Sequence, residues 1–195
     1  MAREPVHAQP FAPVVTARVR LRPVTGDDAE ALAPLMTPAI CQWTGTWRPP
    51  VTVSYARMRL EQAVDAMAAG TAVHAVVERI EGDVPMGWML VRTGAAPRVG
   101  ELGYWIGEAF QGHGYTREAV PHLLRLAFAR LRVDRIEAGA QPGNVASFRV
   151  MRGLGMEPVG PRQVWAPARE REETCRYFAI SRADFDAARE SHRGS

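Results

Sequence analysis

The spacing of apolar residues predicts a sheet whose strands are spread along the whole chain. Short runs that are apolar throughout, or that alternate apolar with polar residues, are typical of strands. Such runs occur at 18–23, 73–78, 86–91, 101–106, 135–140 and 173–180. The turn Gly82-Asp83 separates the second run from the third, which predicts a hairpin there.

A different period, with apolar residues three and four positions apart, predicts helices between the strands. The clearest of these helices covers 116–131. Thr25, Ser54 and Asn144 are the expected N-caps of three further helices, which end near residues 36, 69 and 154. The resulting order is β-α-α-β-β-β-α-β-α-β, with hairpins early and βαβ crossovers late. This order predicts an α/β (α+β) fold with a mixed sheet and helices on both faces.

The composition is that of an ordinary globular protein. Of the 195 residues, 47% are hydrophobic and 23% are charged, and the length fits a single domain over 1–195. Residues 1–15, MAREPVHAQPFAPVV, are rich in proline and alanine, so we expect an extended N-terminal arm. The arm lacks a basic head followed by a long apolar run, and no signal peptide is expected. Apolar runs of about eighteen residues are also absent from the sequence, so no membrane span is expected.

Charge and cysteine content narrow the expected partners and compartment. The net charge is +3, and every basic residue is an arginine. The arginines are spread along the chain, which argues against nucleic-acid binding but would help an anionic ligand to approach. Cys41 and Cys175 make no disulfide framework, so a reducing cytoplasm is the simplest setting. The five histidines show no paired ligand spacing, and no metal site is expected.

Two glycines, Gly112 and Gly114, stand directly before the helix at 116–131. The first turn of a helix has backbone N–H groups without intrahelical partners and carries the positive end of the helix dipole. Glycine allows a ligand to approach the backbone closely. The segment is therefore a candidate anion site, with a plain tight turn as the alternative. It is neither a P-loop, because no Gly-Lys-Ser/Thr follows, nor the dinucleotide fingerprint, because Arg117 occupies the third glycine position.

Three linked motifs resemble the GNAT acetyltransferase family. The segment QGHGYT at 111–116 resembles the family's Arg/Gln-x-x-Gly-x-Gly/Ala loop, which binds the pyrophosphate of acetyl-CoA. Upstream, ELGYWI at 101–106 is similar to the family's fourth strand. Downstream, NVAS at 144–147 and LGM at 154–156 resemble the Asn-x-x-Ser…Leu-Gly-Phe signature of the RimJ/RimL-like subgroup, the N-terminal acetyltransferases of ribosomal proteins. The strong match covers about 99–159.

The sequence departs from these motifs at three positions. Thr116 stands where the loop usually has Gly or Ala, Gly153 where Lys is common, and Met156 where an aromatic residue is usual. None of the three departures removes a group that the resemblance assigns to chemistry.

The resemblance implies a mostly antiparallel central sheet and acetyl-CoA as the cosubstrate. It implies that the backbone makes most of the CoA contacts. The pantetheine arm would lie along Trp105 and Ile106, and the phosphates would meet Gln111, Gly112, His113, Gly114, Tyr115 and Thr116. Asn144 would contact the pantetheine arm as well as cap its helix, and Ser147 would lie near the sulfur.

Acetyl transfer to an amine needs a proton acceptor for the ammonium and a proton donor for the departing thiolate. The resemblance implies Glu101 as the general base, with a solvated carboxylate at a strand end as the alternative. It implies Ser147 as the hydroxyl near the leaving sulfur, with helix capping as the alternative. Tyr104 is another candidate for the acid, or else a half-buried tyrosine of the strand.

The acceptor is less sharply indicated. By the resemblance, Trp43, Trp47 and Arg48 would line the acceptor cleft with Trp88 underneath, although the two loop tryptophans could instead anchor their loop. We expect an N-acetyltransferase for the α-amine of a peptide or protein. The alternatives are an N-acetyltransferase for a small amine, such as an antibiotic, polyamine or amino acid, and a non-catalytic CoA-binding regulatory domain. A homodimer is compatible with the resemblance.

Overall fold

An eight-stranded sheet forms the centre of the protein. The computed structural model describes the backbone of residues 10–193 and the side chains of residues 10–188. The strands are β1 (Val14–Val15), β2 (Val19–Pro23), β3 (Ala72–Arg79), β4 (Val84–Thr93), β5 (Val99–Ile106), β6 (Arg135–Ala140), β7 (Glu157–Ala166) and β8 (Arg171–Ser181). They lie in the order β1-β2-β3-β4-β5-β6-β8-β7. The β5–β6 pair is parallel and the other neighbouring pairs are antiparallel, so the expected mixed, mostly antiparallel sheet is confirmed.

Helices connect the strands and pack on the sheet. They are α1 (Ala29–Leu32), α2 (Pro38–Cys41), α3 (Val53–Ala68), α4 (Tyr115–Arg130), α5 (Val145–Gly153) and α6 (Arg182–Arg193). Single turns of 3₁₀ helix cover 26–28, 33–35 and 108–110. Within residues 10–193, none of the helices combines the length and the apolar character needed to span a membrane.

Two hydrophobic cores lie on opposite faces of the sheet, as expected for helices on both faces. The first core joins the sheet to α4 and α5 and includes Val77 and Leu123. The second core joins the other face to α1 and α3 and includes Val76 and Leu60. Consecutive strand residues point to opposite faces, so β3 contributes to both cores and is buried almost throughout. Burying an aliphatic side chain of this size contributes about 1.5–3 kcal/mol, which fixes the central strands firmly.

The local patterns located most of these elements and misplaced two helix features. The expected runs correspond to β2, β3, β4, β5, β6 and β8. The helix expected from Thr25 to about Met36 is broken into short turns, with Pro34 inside the last of them. The assignment of Ser54 as an N-cap is wrong, because α3 begins at Val53 and Ser54 already lies inside the helix. Thr52 is extended (φ −83°, ψ 157°), and its hydroxyl accepts the N–H of Tyr55 at 3.2 Å.

The strand β7 was not expected at all. Its residues are exposed along most of its length, so it lacks the apolar alternation by which a half-buried strand is detected. Antiparallel pairing with β8, from Glu157–Ala179 to Ala166–Arg171, holds it at the edge of the sheet. The expected N-terminal arm lies outside the described residues over 1–9. Further along, Phe11 is buried in the first core and Val14–Val15 form β1.

Candidate active site

The parallel strands β5 and β6 separate at the centre of the sheet. Their ladder pairs Val99 with Arg135 and Glu101 with Glu137, and it ends there. On its other side, β5 stays paired with β4 as far as Ile106. The edge of β5 that faces β6 therefore carries backbone groups without a strand partner beyond Glu101. Because backbone N–H and C=O groups need hydrogen-bond partners, this β5–β6 gap can receive an extended polar ligand.

Residues 111–116, which we call the glycine loop, follow β5 and lead into α4. Gly112 and Gly114 have φ values of 79° and 81°, in the left-handed region that glycine adopts without strain. Within residues 10–193, no acceptor meets the backbone N–H groups of 112–117, and the first to bond back is that of Glu118, to Gly114 at 3.1 Å. Together with the positive end of the α4 dipole, these free donors suit an anion.

At the end of β5, the two residues predicted to bind the cofactor, Trp105 and Ile106, can present their backbone groups to a ligand, because their side chains are buried. The side chain of Trp105 is buried in the second core, and that of Ile106 is buried in the first. Gln111 then ties the loop to the strand, because its Nε2 donates to the carbonyl of Ile106 at 3.0 Å. The rings of His113 and Tyr115 stack with their centroids 5.7 Å apart, and Thr116 lies in the first turn of α4.

Tyr104, Asn144 and Ser147 meet where β5 faces α5. The side-chain oxygen of Asn144 accepts the N–H of Ser147 at 3.1 Å, so Asn144 caps α5. The hydroxyl of Tyr104 donates to the carbonyl of Ser147 at 3.3 Å. Burial raises the pKa of Tyr104 to about 12, so this hydroxyl remains protonated at neutral pH. Among the described residues, the Ser147 hydroxyl has no hydrogen-bond partner and is therefore available to a ligand.

Glu101 lies on the opposite face of the sheet from Tyr104, because side chains alternate along β5. Arg92, its cross-strand neighbour, donates to the Glu101 Oε2 atom from Nε at 2.9 Å and from Nη2 at 2.7 Å. The other carboxylate oxygen, Oε1, has no hydrogen-bond donor within the described residues. The side chain is 38% exposed, so a proton or an amine can reach Oε1.

The residues expected in the acceptor cleft have different environments. Trp47 and Trp88 are buried in the second core with ring centroids 5.5 Å apart, and they support the sheet instead of presenting a free ring face. The Trp88 Nε1 donates to His74 at 3.2 Å. Trp43 is 42% exposed and can contact a ligand, while Arg48 is exposed and paired with Glu170 at 3.3 Å.

A polar cleft of about 430 Å³, which the sequence patterns did not indicate, lies between α2 and the start of β8. Its lining consists of Gln42, Gln141, Arg169, Arg171, Glu172, Glu173 and Thr174. Arg169 holds its two sides together. It donates to the carbonyls of Thr44 at 3.0 Å and Cys41 at 3.2 Å, and its guanidinium meets Glu173 at 2.7 Å through both Nε and Nη2.

Electrostatics hold this arrangement in one state at neutral pH. Hydrogen bonds from Arg169, then from Arg171 and Gln141, lower the pKa of Glu173 to about 2, so it stays ionised. The turn between β7 and β8 adds a backbone contact, since Ala168 donates its N–H to the Gly45 carbonyl at 3.0 Å. The short spacing from Arg169 to Glu173 is the one local sign of this cluster, and it is too common among surface residues to mark a site.

The fold and the site agree with one enzyme family. A family model described as an acetyltransferase (GNAT) domain matches residues 18–157. Because this match spans more than half of the 195 residues, the chain belongs to the GNAT family of acetyltransferases, and the earlier resemblance is confirmed. Members of the family transfer an acetyl group from acetyl-CoA, so the chain is an acyltransferase by class.

Individual relatives extend the same finding. The uncharacterized N-acetyltransferase p20 of Bacillus licheniformis is 24% identical over 176 residues, which cover 87% of this chain and 96% of p20. The match to the uncharacterized N-acetyltransferase YnaD of Bacillus subtilis (strain 168) is 37% identical over 60 residues, but it covers 31% of this chain and 35% of YnaD.

Solved structures share the fold at low identity. The ribosomal-protein-S5-alanine acetyltransferase from Vibrio fischeri has a TM-score of 0.77 at 21% identity, covering 90% of this chain and 99% of that one. Structures of RimJ and RimL ribosomal-protein acetyltransferases with CoA are also among the neighbours.

Proposed function

We propose that this chain is an acetyl-CoA-dependent N-acetyltransferase that modifies the α-amine at the N-terminus of a peptide or protein. The observation that carries the proposal is the row of N–H groups at 112–117, which have no partner within residues 10–193, next to a strand edge that is likewise unpaired in this part of the chain. A diphosphate fits such donors at a helix N-terminus, and a pantetheine arm with its amide groups fits an open strand edge.

Acetyl-CoA would supply an activated acyl group as a thioester. On the acceptor side, the free Oε1 of Glu101 takes a proton from the incoming ammonium, directly or through water, because the amine must be neutral to attack. A backbone N–H of β5 stabilises the charge that develops on the carbonyl oxygen. As the new C–N bond forms and the C–S bond breaks, the Ser147 hydroxyl, or that of Tyr104, donates a proton to the thiolate.

The placement of the side chains supports these roles. Glu101 faces the α1 and α3 side of the sheet, while Tyr104 and Ser147 lie on the α4 and α5 side. A base and an acid on opposite sides of the β5–β6 gap can serve an amine that arrives from one side and a thiolate that leaves toward the other. Arg92 holds the Glu101 carboxylate in place through Oε2 and leaves Oε1 for the reaction.

The polar cleft supports a peptide acceptor. It is lined by carboxylates, guanidinium groups and amides, which can meet the backbone amide groups and polar side chains of a peptide whose α-amine reaches Glu101. The similarity in fold to ribosomal-protein N-terminal acetyltransferases points to the same class of acceptor.

The test is a free-thiol release assay with acetyl-CoA and a panel of acceptors. The panel contains short peptides with free N-termini, the same peptides blocked at the α-amine, and small amines such as an aminoglycoside, a polyamine and free amino acids. We expect release with the free peptides alone, and mass spectrometry should place the acetyl group on the α-amine. Release with small amines alone would overturn the peptide acceptor. Binding of acetyl-CoA without release from any acceptor would overturn the enzymatic role.

A further inference from the structure

We propose that Arg18, directly before β2, is a positioning residue that sets the orientation of the glycine loop for phosphate binding. The inference rests on the proposed function, because it assumes that the loop binds the diphosphate of acetyl-CoA. Arg18 lies outside the glycine loop and outside the three motifs that resemble those of acetyltransferases.

The guanidinium of Arg18 lies directly on the loop backbone. Its Nη1 donates to the carbonyl of His113 at 3.0 Å. A Cβ placed on Gly114 would be 3.5 Å from the Arg18 Nη2, and the Tyr115 ring centroid lies 5.1 Å from the guanidinium carbon. A carbonyl oxygen that faced the diphosphate would repel it. By engaging the carbonyl between the two glycines, Arg18 leaves the N–H groups of the loop as the groups that face a ligand.

Glu118, in the first turn of α4, holds Arg18 in this position. Its Oε2 accepts from the Arg18 Nε at 2.8 Å and lies 2.7 Å from Nη2. Its Oε1 accepts the Arg18 backbone N–H at 2.9 Å and the Thr16 hydroxyl at 2.5 Å. Burial alone would raise the pKa of Glu118, but these hydrogen bonds outweigh burial and lower the pKa. The carboxylate is therefore ionised at neutral pH.

The same contact removes an electrostatic obstacle. An ionised carboxylate in the first turn of α4 would repel a diphosphate bound at the start of that helix. The Arg18 guanidinium neutralises Glu118 and turns the His113 carbonyl away from the ligand. Arg18 is half-exposed, and exposed ion pairs contribute little to stability, so its main effect should be on ligand affinity.

The test compares two thioesters, acetyl-CoA and S-acetylpantetheine, because the second lacks the diphosphate. For Arg18→Gln, we expect KM for acetyl-CoA to rise about tenfold or more, with kcat nearly unchanged. We expect kcat/KM for S-acetylpantetheine to stay at the wild-type value. Calorimetry with CoA should show the same weakening without any acceptor present.

Matched variants separate the two effects of Arg18. Arg20→Gln, two residues further along in β2, breaks ion pairs with Glu78 and Asp83 and should leave the kinetics with both thioesters unchanged. The double variant Arg18→Gln/Glu118→Gln removes the repulsive charge but leaves the His113 carbonyl free, so it should recover part of the lost affinity. Arg18→Lys, which keeps the charge, should lie between wild type and Arg18→Gln and serves if the glutamine variant fails to fold.

The outcomes distinguish this inference from the proposed function. If wild type binds acetyl-CoA and Arg18→Gln binds it equally well, the positioning role is wrong and the proposed function stands. The same conclusion follows if Arg18→Gln impairs both thioesters equally, since a general loss of structure would do that. If wild type neither binds acetyl-CoA nor releases thiol from it, the proposed function itself fails.

Discussion

The glycine loop and the polar cleft, to which the proposed function assigns the two substrates, are built from different parts of the chain. The loop presents main-chain N–H groups from one continuous segment, residues 112–117. The two sides of the cleft are joined by side chains. Its central contact joins Arg169 to Cys41, 128 positions away. A site made of backbone depends on local φ and ψ values. A site made of side chains depends on how distant segments meet.

This difference predicts which substitutions should impair the glycine loop and which should impair the polar cleft. Substitutions that change the backbone should impair the glycine loop whatever their charge. Substitutions that remove a side chain joining distant segments should impair the polar cleft even when the backbone is unaltered. Glu101 lies where the β5–β6 ladder ends, and its contribution should appear in turnover and not in the binding of either substrate.

The largest effect is expected at Glu101. Glu101→Gln keeps the shape and a hydrogen-bond acceptor for Arg92 but removes the base, so kcat at neutral pH should fall by about 10²-fold or more. The affinity for acetyl-CoA, measured by calorimetry, should be unchanged. Glu81→Gln, at an exposed turn, is the control. Full turnover by Glu101→Gln would remove Glu101 from the mechanism and leave the base to a water chain or another group.

A smaller effect is expected from the backbone of the glycine loop. In Gly112→Ala, a Cβ would meet no atom within 4 Å, but the residue would be held at a φ of 79°. A strain of about 1–2 kcal/mol favours other conformations of the free loop, and restoring the observed φ on binding should weaken acetyl-CoA affinity by about tenfold.

Gly70→Ala is the matched control for the loop, because Gly70 has a φ of 69° and equally open surroundings at the end of α3. Both variants should unfold at similarly reduced denaturant concentrations. Only Gly112→Ala should lose acetyl-CoA affinity. Equal binding by the two variants would contradict a loop built for a ligand.

The polar cleft should respond to charge at one arginine and not at its neighbour. Arg169→Gln breaks the tie between Glu173 and the Thr44 carbonyl, so the cleft loses its shape and KM for a peptide acceptor should rise about three- to tenfold. KM for acetyl-CoA should not change. Arg171→Gln removes the same charge from the same cleft. Within the described residues the Arg171 side chain donates to Glu173 and makes no hydrogen bond to the loop after α2, so the peptide KM of this variant should stay closer to wild type. An equal rise of the peptide KM in both variants would contradict this prediction, because it would show that the charge of the cleft and not the bridge made by Arg169 determines peptide binding.

The smallest effect is expected at His74, which lies beneath the acceptor side of the sheet, and it concerns how the stability of the protein depends on pH. Burial, with Arg59 and Arg92 nearby, lowers the pKa of His74 from 6.5 to about 4. The unfolded chain binds this proton more readily, so stability is complete above about pH 6.5 and falls as the pH drops toward 4. In His74→Gln, which can still accept from Trp88, this part of the fall should disappear.

Denaturant unfolding at a series of pH values measures how steeply the free energy of unfolding changes with pH. Burial also lowers the pKa of His122, so some slope of the same sign should persist in the variant. Glu173 acts at lower pH, because its stabilisation is present above about pH 4.5 and is lost toward pH 2. An unaltered slope between pH 6.5 and 4 in His74→Gln would show that His74 is not the buried neutral group described here.

Most of the sheet could be predicted from local patterns, and the exceptions have clear physical causes. The strands that bury a face carry an apolar period, whereas β7 is exposed on nearly every residue and exists because β8 offers it a pairing edge. The competing caps Thr52 and Ser54 are chemically alike, and only the observed backbone selects Thr52. Local sequence also does not distinguish the two loop tryptophans, although Trp47 is buried in the structure and Trp43 is exposed.

By itself the sequence determined the order of the central elements, the position of the two glycines before α4 and the cap at Asn144. These features depend on residues that are neighbours along the chain, so their physical chemistry can be read locally. Only the tertiary structure decided that β5 and β6 part after Glu101, that Arg169 closes the polar cleft and that Arg18 lies on the glycine loop. Each of these requires residues far apart in sequence to meet, and their meeting is fixed by strand pairing and by the two cores.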